Sequence, residues 1–332
     1  MYIYIRRIIW EYQSRLPEDM HMHLGIKSPL LPVIIAAALF GMATPLLKLL
    51  LAAIEPLALT AFLYTGAGVG VACLSSPFSL ALYKWPEFGA RDYWYLAGTV
   101  IIGGIFAPII QFAALAVTPA ATASLLLNFE IVTTCCIAYG VFRESVDKRL
   151  FLAVLSIFLG SIILSLDTSE LSYFSLGAMG IIVSCIFWGL DNNLMGKIRC
   201  IDPRSLIIVK GLAGGFFSFL LVVLLHVDIP GVIFILLALL TGFLTFGLGL
   251  VFLVSSLQSI GAIKTGAYFA IAPFIGSISS LFLFHEIPGV QFLLSLLLFI
   301  AGFFFLLHAN SSPTAISDTT IFRPIDPNCI NP

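Results

Sequence analysis

Apolar runs of about 20 residues recur from residue 29 to residue 308, separated by short polar breaks. A helix of about 20 residues spans the roughly 30 Å hydrocarbon core of a bilayer. The pattern therefore predicts ten transmembrane helices, at residues 29–52, 56–76, 94–114, 119–140, 149–166, 173–195, 203–226, 231–256, 260–284 and 288–308. The breaks carry helix-start chemistry. Glu55-Pro56 and Asp202-Pro203 each put an acid at the positive end of a helix and a proline in its first turn. A missing N–H is harmless there. The expected fold class is an all-α polytopic membrane protein.

Composition fits this pattern. Of 332 residues, 60% are hydrophobic and 10% charged, with a mean hydropathy of +1.09, too apolar for a soluble domain. The net charge of −1 says nothing about nucleic acid, no basic stripe appears, and no nucleic-acid partner is expected. The six cysteines have no metal-ligand spacing, and the five in or at the ends of apolar runs read as small buried hydrophobes rather than disulfides. Residues 1–28 read as a cytoplasmic segment, since the apolar run after Arg6-Arg7 is too short for a cleavable signal; Met20 or Met22 is an alternative start. Residues 309–332 read as a disordered cytoplasmic tail. With the N-terminus inside, 14 of the 16 Lys and Arg lie on inner segments or at the inner ends of spans, and the other two, Lys48 and Lys210, fall deeper within spans. The outer loops hold Glu55, Asp167, Glu170, Asp228 and Glu286 and no basic residue. This positive-inside pattern places both termini in the cytoplasm of a multi-pass inner-membrane protein.

The two halves of the chain match. At an offset of 142, Phe142-Arg143-Glu144 falls on Phe284-His285-Glu286, Ala120 on Ala262 and Gly160 on Gly302. At 147, Glu55-Pro56 falls on Asp202-Pro203, and at 148 Phe40-Gly41 falls on Trp188-Gly189. Residues 29–166 and 173–308 are thus two five-span repeats. Five is odd, so the halves run in opposite senses, the design of carriers that rock around a site at mid-membrane.

The chemistry concentrates on a few positions. Thr118–Ala138 is apolar yet carries Glu130 halfway along. A carboxylate at that depth costs roughly 2.5–3.5 kcal/mol on insertion scales, so it faces a wet cavity or the bundle interior. It either meets a cargo or pairs with a neighbouring hydroxyl for packing. Asp191, in Trp188-Gly189-Leu190-Asp191-Asn192-Asn193, is either an interfacial cap or a cargo or gating residue. Lys210 either snorkels to the inner surface or pairs with Asp191 or Glu130, and Lys48 carries the same ambiguity. Phe40, Trp188 and Tyr268 are aromatics that could line a cavity, and Asn128 stands two residues before Glu130. Pro273, near the repeat counterpart of Glu130, reads as a hinge. Gly66-Ala67-Gly68-Val69-Gly70 and Ser156–Gly160 read as small-residue packing faces. The five histidines are scattered, and no nucleophile–base set or metal cluster emerges, so neither enzyme chemistry nor a cofactor is expected.

Several of these features together resemble the drug/metabolite transporter superfamily, in its ten-span EamA-type branch. They are Phe40-Gly41-Met42-Ala43-Thr44-Pro45 with Lys48, Trp188-Gly189 with Asn192 and Asn193, Thr118-Pro119-Ala120, Ile260-Gly261-Ala262, and the acidic ends at Glu144 and Glu286. Arg143 and His285 replace the glycine usual before each glutamate, and Leu63 stands where the second span often has a basic residue. The resemblance implies a carrier of small metabolites coupled to a proton or a counter-substrate, with a homodimer as one admissible assembly. The expected binding set is Glu130, Trp188, Asp191, Tyr268, Phe40, Asn128 and Lys210. Among the family's cargoes, S-adenosylmethionine exchanged for S-adenosylhomocysteine is the first choice, and amino acids or hydrophobic cations are the alternative. A lipid-headgroup enzyme would need clustered His, Asp or Ser at one interface. A channel would need rings of like charge. The spans show neither.

Overall fold

The computed structural model describes residues 30–74, 90–141, 148–166, 175–195, 203–253, 256 and 268–309. The segments 1–28 and 310–332, the Phe142-Arg143-Glu144 and Ile260-Gly261-Ala262 motifs, and Lys264 lie outside them. Among the described residues every regular element is helical. Eight helices among the described residues are long and apolar enough to cross a membrane. Two shorter apolar ones, Ala272–Phe284 and Val290–Phe305, occupy the places of the ninth and tenth spans.

The first two spans are Leu31–Leu50 and Pro56–Leu74. The third runs as Ala90–Ile101, a wider π-helical turn Ile102–Phe106, and Ala107–Ala116. The fourth is two helices, Ala120–Leu126 and Phe129–Gly140, and the fifth and sixth are Lys148–Ser165 and Leu176–Met195. The seventh is Pro203–Leu224, and the eighth joins Val232–Gly242 to a second π-helical turn, Phe243–Leu248. Pro56 and Pro203 begin their helices as the acid–proline pairs predict.

Packing follows a two-fold plan. The first span lies on the ninth as the sixth lies on the fourth, while the second pairs with the seventh and the fifth with the tenth. Related elements thus trade partners between halves, as two inverted repeats require. The second and seventh spans meet through glycine. A Cβ on Gly68 would lie 2.7 Å from the Leu212 nitrogen, and one on Gly211 would lie 2.7 Å from the Gly68 Cα. Close backbone approach of this kind supplies van der Waals contact where lipid removes any hydrophobic drive between helices.

The irregularities repeat as well. In the third span Ala107 N–H reaches back to the Ile102 carbonyl, and in the eighth Gly249 N–H reaches the Leu244 carbonyl. The third-span turn lies just before Pro108, whose ring cannot accept a normal helical approach to the carbonyl four residues back. The turn in the third span packs on the sixth and seventh spans, and that in the eighth packs on the first and second.

The fourth span corrects the expectation of one continuous helix over 119–140. It breaks at Leu127 and Asn128. The Asn128 and Ile131 amides bond the Leu125 and Asn128 carbonyls, both at 3.1 Å. In the ninth span the Ile271 and Phe274 amides bond the Tyr268 and Ile271 carbonyls, at 3.3 and 3.0 Å. The donors move from 128 to 271 and from 131 to 274, an offset of 143 in both cases. The causes differ between halves. Asn128 Nδ2 takes the Leu125 carbonyl at 3.0 Å, a side-chain bond that competes with the helical ladder. In the ninth span the helix restarts at Ala272 with Pro273 in its first turn. At this offset Pro273 stands where the first half has Glu130, so the carboxylate has no twin.

Candidate functional site

The break in the fourth span puts Glu130 in the first turn of a new helix, inside the bundle. The dipole at that end of a helix favours a negative charge. One carboxylate oxygen accepts a hydrogen bond from Asn192 Nδ2 at 2.6 Å, and the same amide lies 3.4 Å from Thr134 Oγ1. The sixth span can come this close because Gly189 faces the fourth. A Cβ there would lie 2.8 Å from the Thr134 nitrogen. Thr133 Oγ1 also donates to the Cys185 carbonyl at 2.6 Å, and Asn193 Nδ2 donates to the Thr134 carbonyl at 3.1 Å. These bonds fix the sixth span's register against the fourth.

One residue before Asn192, Asp191 faces the other way. It is fully buried, ion-paired with Lys210 from the seventh span and bonded by the Thr99 hydroxyl from the third. A Cβ on Gly103 would strike the Asp191 carboxylate, so the glycine of the π-helical turn makes room for it. Tyr64 from the second span donates its hydroxyl to the Gly103 carbonyl at 2.7 Å. The repeat places Ala43 at the counterpart of Asp191 and Leu63 at that of Lys210, so this ionic cluster belongs to one half alone.

Aromatic residues surround these groups. Trp188 Nε1 donates to Gln111 Oε1 at 2.8 Å, and Lys210 Nζ lies 5.4 Å from the centroid of the Trp188 ring. Phe246 of the second π-helical turn lies 5.7 Å from Phe40 and 6.0 Å from Tyr64, and Phe40 lies 5.2 Å from Phe269. Glu130, Asn192, Trp188, Phe40 and Phe246 are each only partly buried. Each of them therefore keeps some accessible surface.

The structure sorts the residues proposed from sequence. Glu130, Trp188, Asp191 and Lys210 come together where the third, fourth, sixth and seventh spans meet. Phe40 stands across the bundle on the first span with Phe246. Asn128 is buried and spends its amide on Leu125. Tyr268 is 41% exposed, just before the break in the ninth span. Lys48 does not join the Glu130 cluster; it caps carbonyls at the end of the third span. Asn192, Gln111 and Thr99 were missed as direct partners. For Asn192 the signal was present, as a third polar residue in an apolar helix.

Inward-facing polar groups in an all-helical bundle of repeated apolar spans define a multi-pass membrane transporter. The EamA-like transporter family model matches twice, over residues 27–166 and 175–308, and the chain belongs to that family. It is 25% identical over 291 residues to a protein of Methanothermobacter thermautotrophicus called an uncharacterized transporter, covering 82% of this chain and 84% of that one. A solved crystal structure shares the fold at a TM-score of 0.62 and 17% identity, over 87% of this chain and all of the other.

Proposed function

We propose that this chain carries a small organic cation across the cytoplasmic membrane by alternating access, with the cation's charge held at Glu130. The observation that carries this reading is a charge imbalance. Asp191 and Lys210 neutralise each other, whereas Glu130 has an amide partner and, among the described residues, no ion pair. The proposed site would therefore keep one negative charge in excess, beside aromatic rings that suit a flat or cationic group. Glu130, Trp188, Phe40 and Asn192 would touch the cargo. Asp191 and Lys210 would hold the third, sixth and seventh spans in register.

The same imbalance favours exchange. Carrying a bare carboxylate back through a closed site would cost several kcal/mol, so the empty carrier would return with a proton or a counter-substrate. Cargo and counter-substrate must also bind the two facing states differently for coupling to follow. S-adenosylmethionine is the cargo of first choice, since it joins a sulfonium to a flat purine. S-adenosylhomocysteine, which lacks the sulfonium charge, would be its exchange partner. The protein would sit in the inner membrane with both termini cytoplasmic.

The test is counterflow in proteoliposomes, with unlabelled compound inside and labelled compound outside. The panel is S-adenosylmethionine, S-adenosylhomocysteine, neutral amino acids and a hydrophobic phosphonium. Uptake of S-adenosylmethionine or the phosphonium, with S-adenosylhomocysteine accepted as the exchange partner, supports the reading. Uptake of neutral amino acids in preference to the cations overturns it.

A further inference from the structure

Two charged side chains converge on the corner between the third and fourth spans, residues 115–121. Lys48, from the first span, donates to the carbonyls of Leu115, Ala116 and Thr118 at 2.6, 2.8 and 2.7 Å. These carbonyls fall where the third-span helix ends, and the Leu115 carbonyl also accepts the Thr118 N–H at 3.3 Å. Glu286 follows His285, whose φ of 51° terminates the ninth span in the left-handed region. Its two oxygens accept the N–H groups of Ala120 and Ala121 at 2.8 and 3.0 Å. These are orphan donors at the start of the fourth span, where a negative charge is favourable. The Lys48 and Glu286 charges also attract one another. Just below, Ser277 of the ninth span donates to the Ala121 carbonyl at 2.6 Å.

The geometry points to a latch. We infer that Glu286, supported by Lys48, locks the fourth span to the ninth at this end of the bundle, and that the latch must open for the site to reach that side. Glu286 belongs to the second half, and the Ala120 and Ala121 N–H groups that donate to it belong to the first. Any rocking of the halves that parts the fourth and ninth spans here breaks the Glu286 bonds. Lys48 lies within the first half and keeps the corner in shape when they break. The freed N–H groups meet water on opening, so the change is reversible. Both residues are positioning residues: they act through the fourth span, which carries Glu130 nine residues beyond Ala121. The inference rests on the alternating-access reading above.

The test uses the full chain in proteoliposomes, with its cysteines replaced and a single reporter, Ser277→Cys. Ser277 is 2% exposed, so a membrane-impermeant maleimide should react slowly with the parent. In Glu286→Gln and in Lys48→Met the rate should rise at least about tenfold, for reagent added to one face only. A control reporter, Ser295→Cys, is fully buried in the tenth span and should stay unreactive throughout. An unchanged rate at Ser277→Cys in both variants overturns the latch. So does a parallel rise at Ser295→Cys, which means general loosening. If Glu286→Gln fails to insert, Lys48→Met decides. A faster reaction in a protein that moves none of the panel compounds sustains the latch and refutes the cation-carrier reading.

Discussion

Removing Lys210 should cost far more than the apolar surface it covers. Lys210→Met leaves the Asp191 carboxylate sealed from water with only the Thr99 hydroxyl. Breaking a buried ion pair from one side costs about 3–5 kcal/mol, because the remaining charge is stranded. The Lys210 side chain keeps 11% of its surface exposed. Thr99 also stays in place, so the lower end, about 3 kcal/mol, is expected. Asp191→Asn should cost a similar amount by stranding the ammonium. The double variant has no charge to strand and should lose only about 1 kcal/mol, giving a coupling energy near 5 kcal/mol. Reversible unfolding in mixed micelles, followed by tryptophan fluorescence, measures all four corners of the cycle. A double variant as unstable as the two single losses summed would mean that the residues do not act as a pair.

Two further substitutions test close backbone approach. Gly103→Ala should destabilise by about 1–3 kcal/mol through collision with the Asp191 carboxylate, and much less in an Asp191→Ala background; thermal unfolding in detergent reads both. Gly211→Val should push the seventh span off Gly68 at a similar cost, with lowered yield of folded protein on size-exclusion chromatography.

The spans were legible because a membrane imposes one requirement on length and another on charge placement, and both can be read residue by residue. The packing faces at Gly66–Gly70 and Gly160 were legible for a related reason: few other uses exist for such runs in lipid. The repeat was visible through its acid–proline starts. The break in the fourth span was not visible. Hydropathy is averaged over a window, and one Asn in an apolar run barely changes the average. The π-helical turns left little trace either, because a register of five residues instead of four needs no special composition; Pro108 marks one of them and no proline marks the other. Within Asp191-Asn192-Asn193, a helix turns about 100° per residue. Which member meets Glu130 is set by the packing of the sixth span on the fourth, through Gly189 and Thr133. Sequence reasoning placed Asp191 with the cargo set, whereas the amide beside it reaches Glu130. Lys48 was open for the same reason: its carbonyl partners lie 67 to 70 residues away in the chain.

Glu130→Gln removes the charge and keeps an oxygen for Asn192, so it isolates the electrostatic role of the site. Counterflow of labelled S-adenosylmethionine or phosphonium in proteoliposomes should fall by at least about tenfold, with insertion and thermal stability preserved, since a charge-assisted contact is worth roughly 1.5–3 kcal/mol. Cation counterflow as fast in the variant as in the wild type would contradict the central claim that this carboxylate holds the cargo.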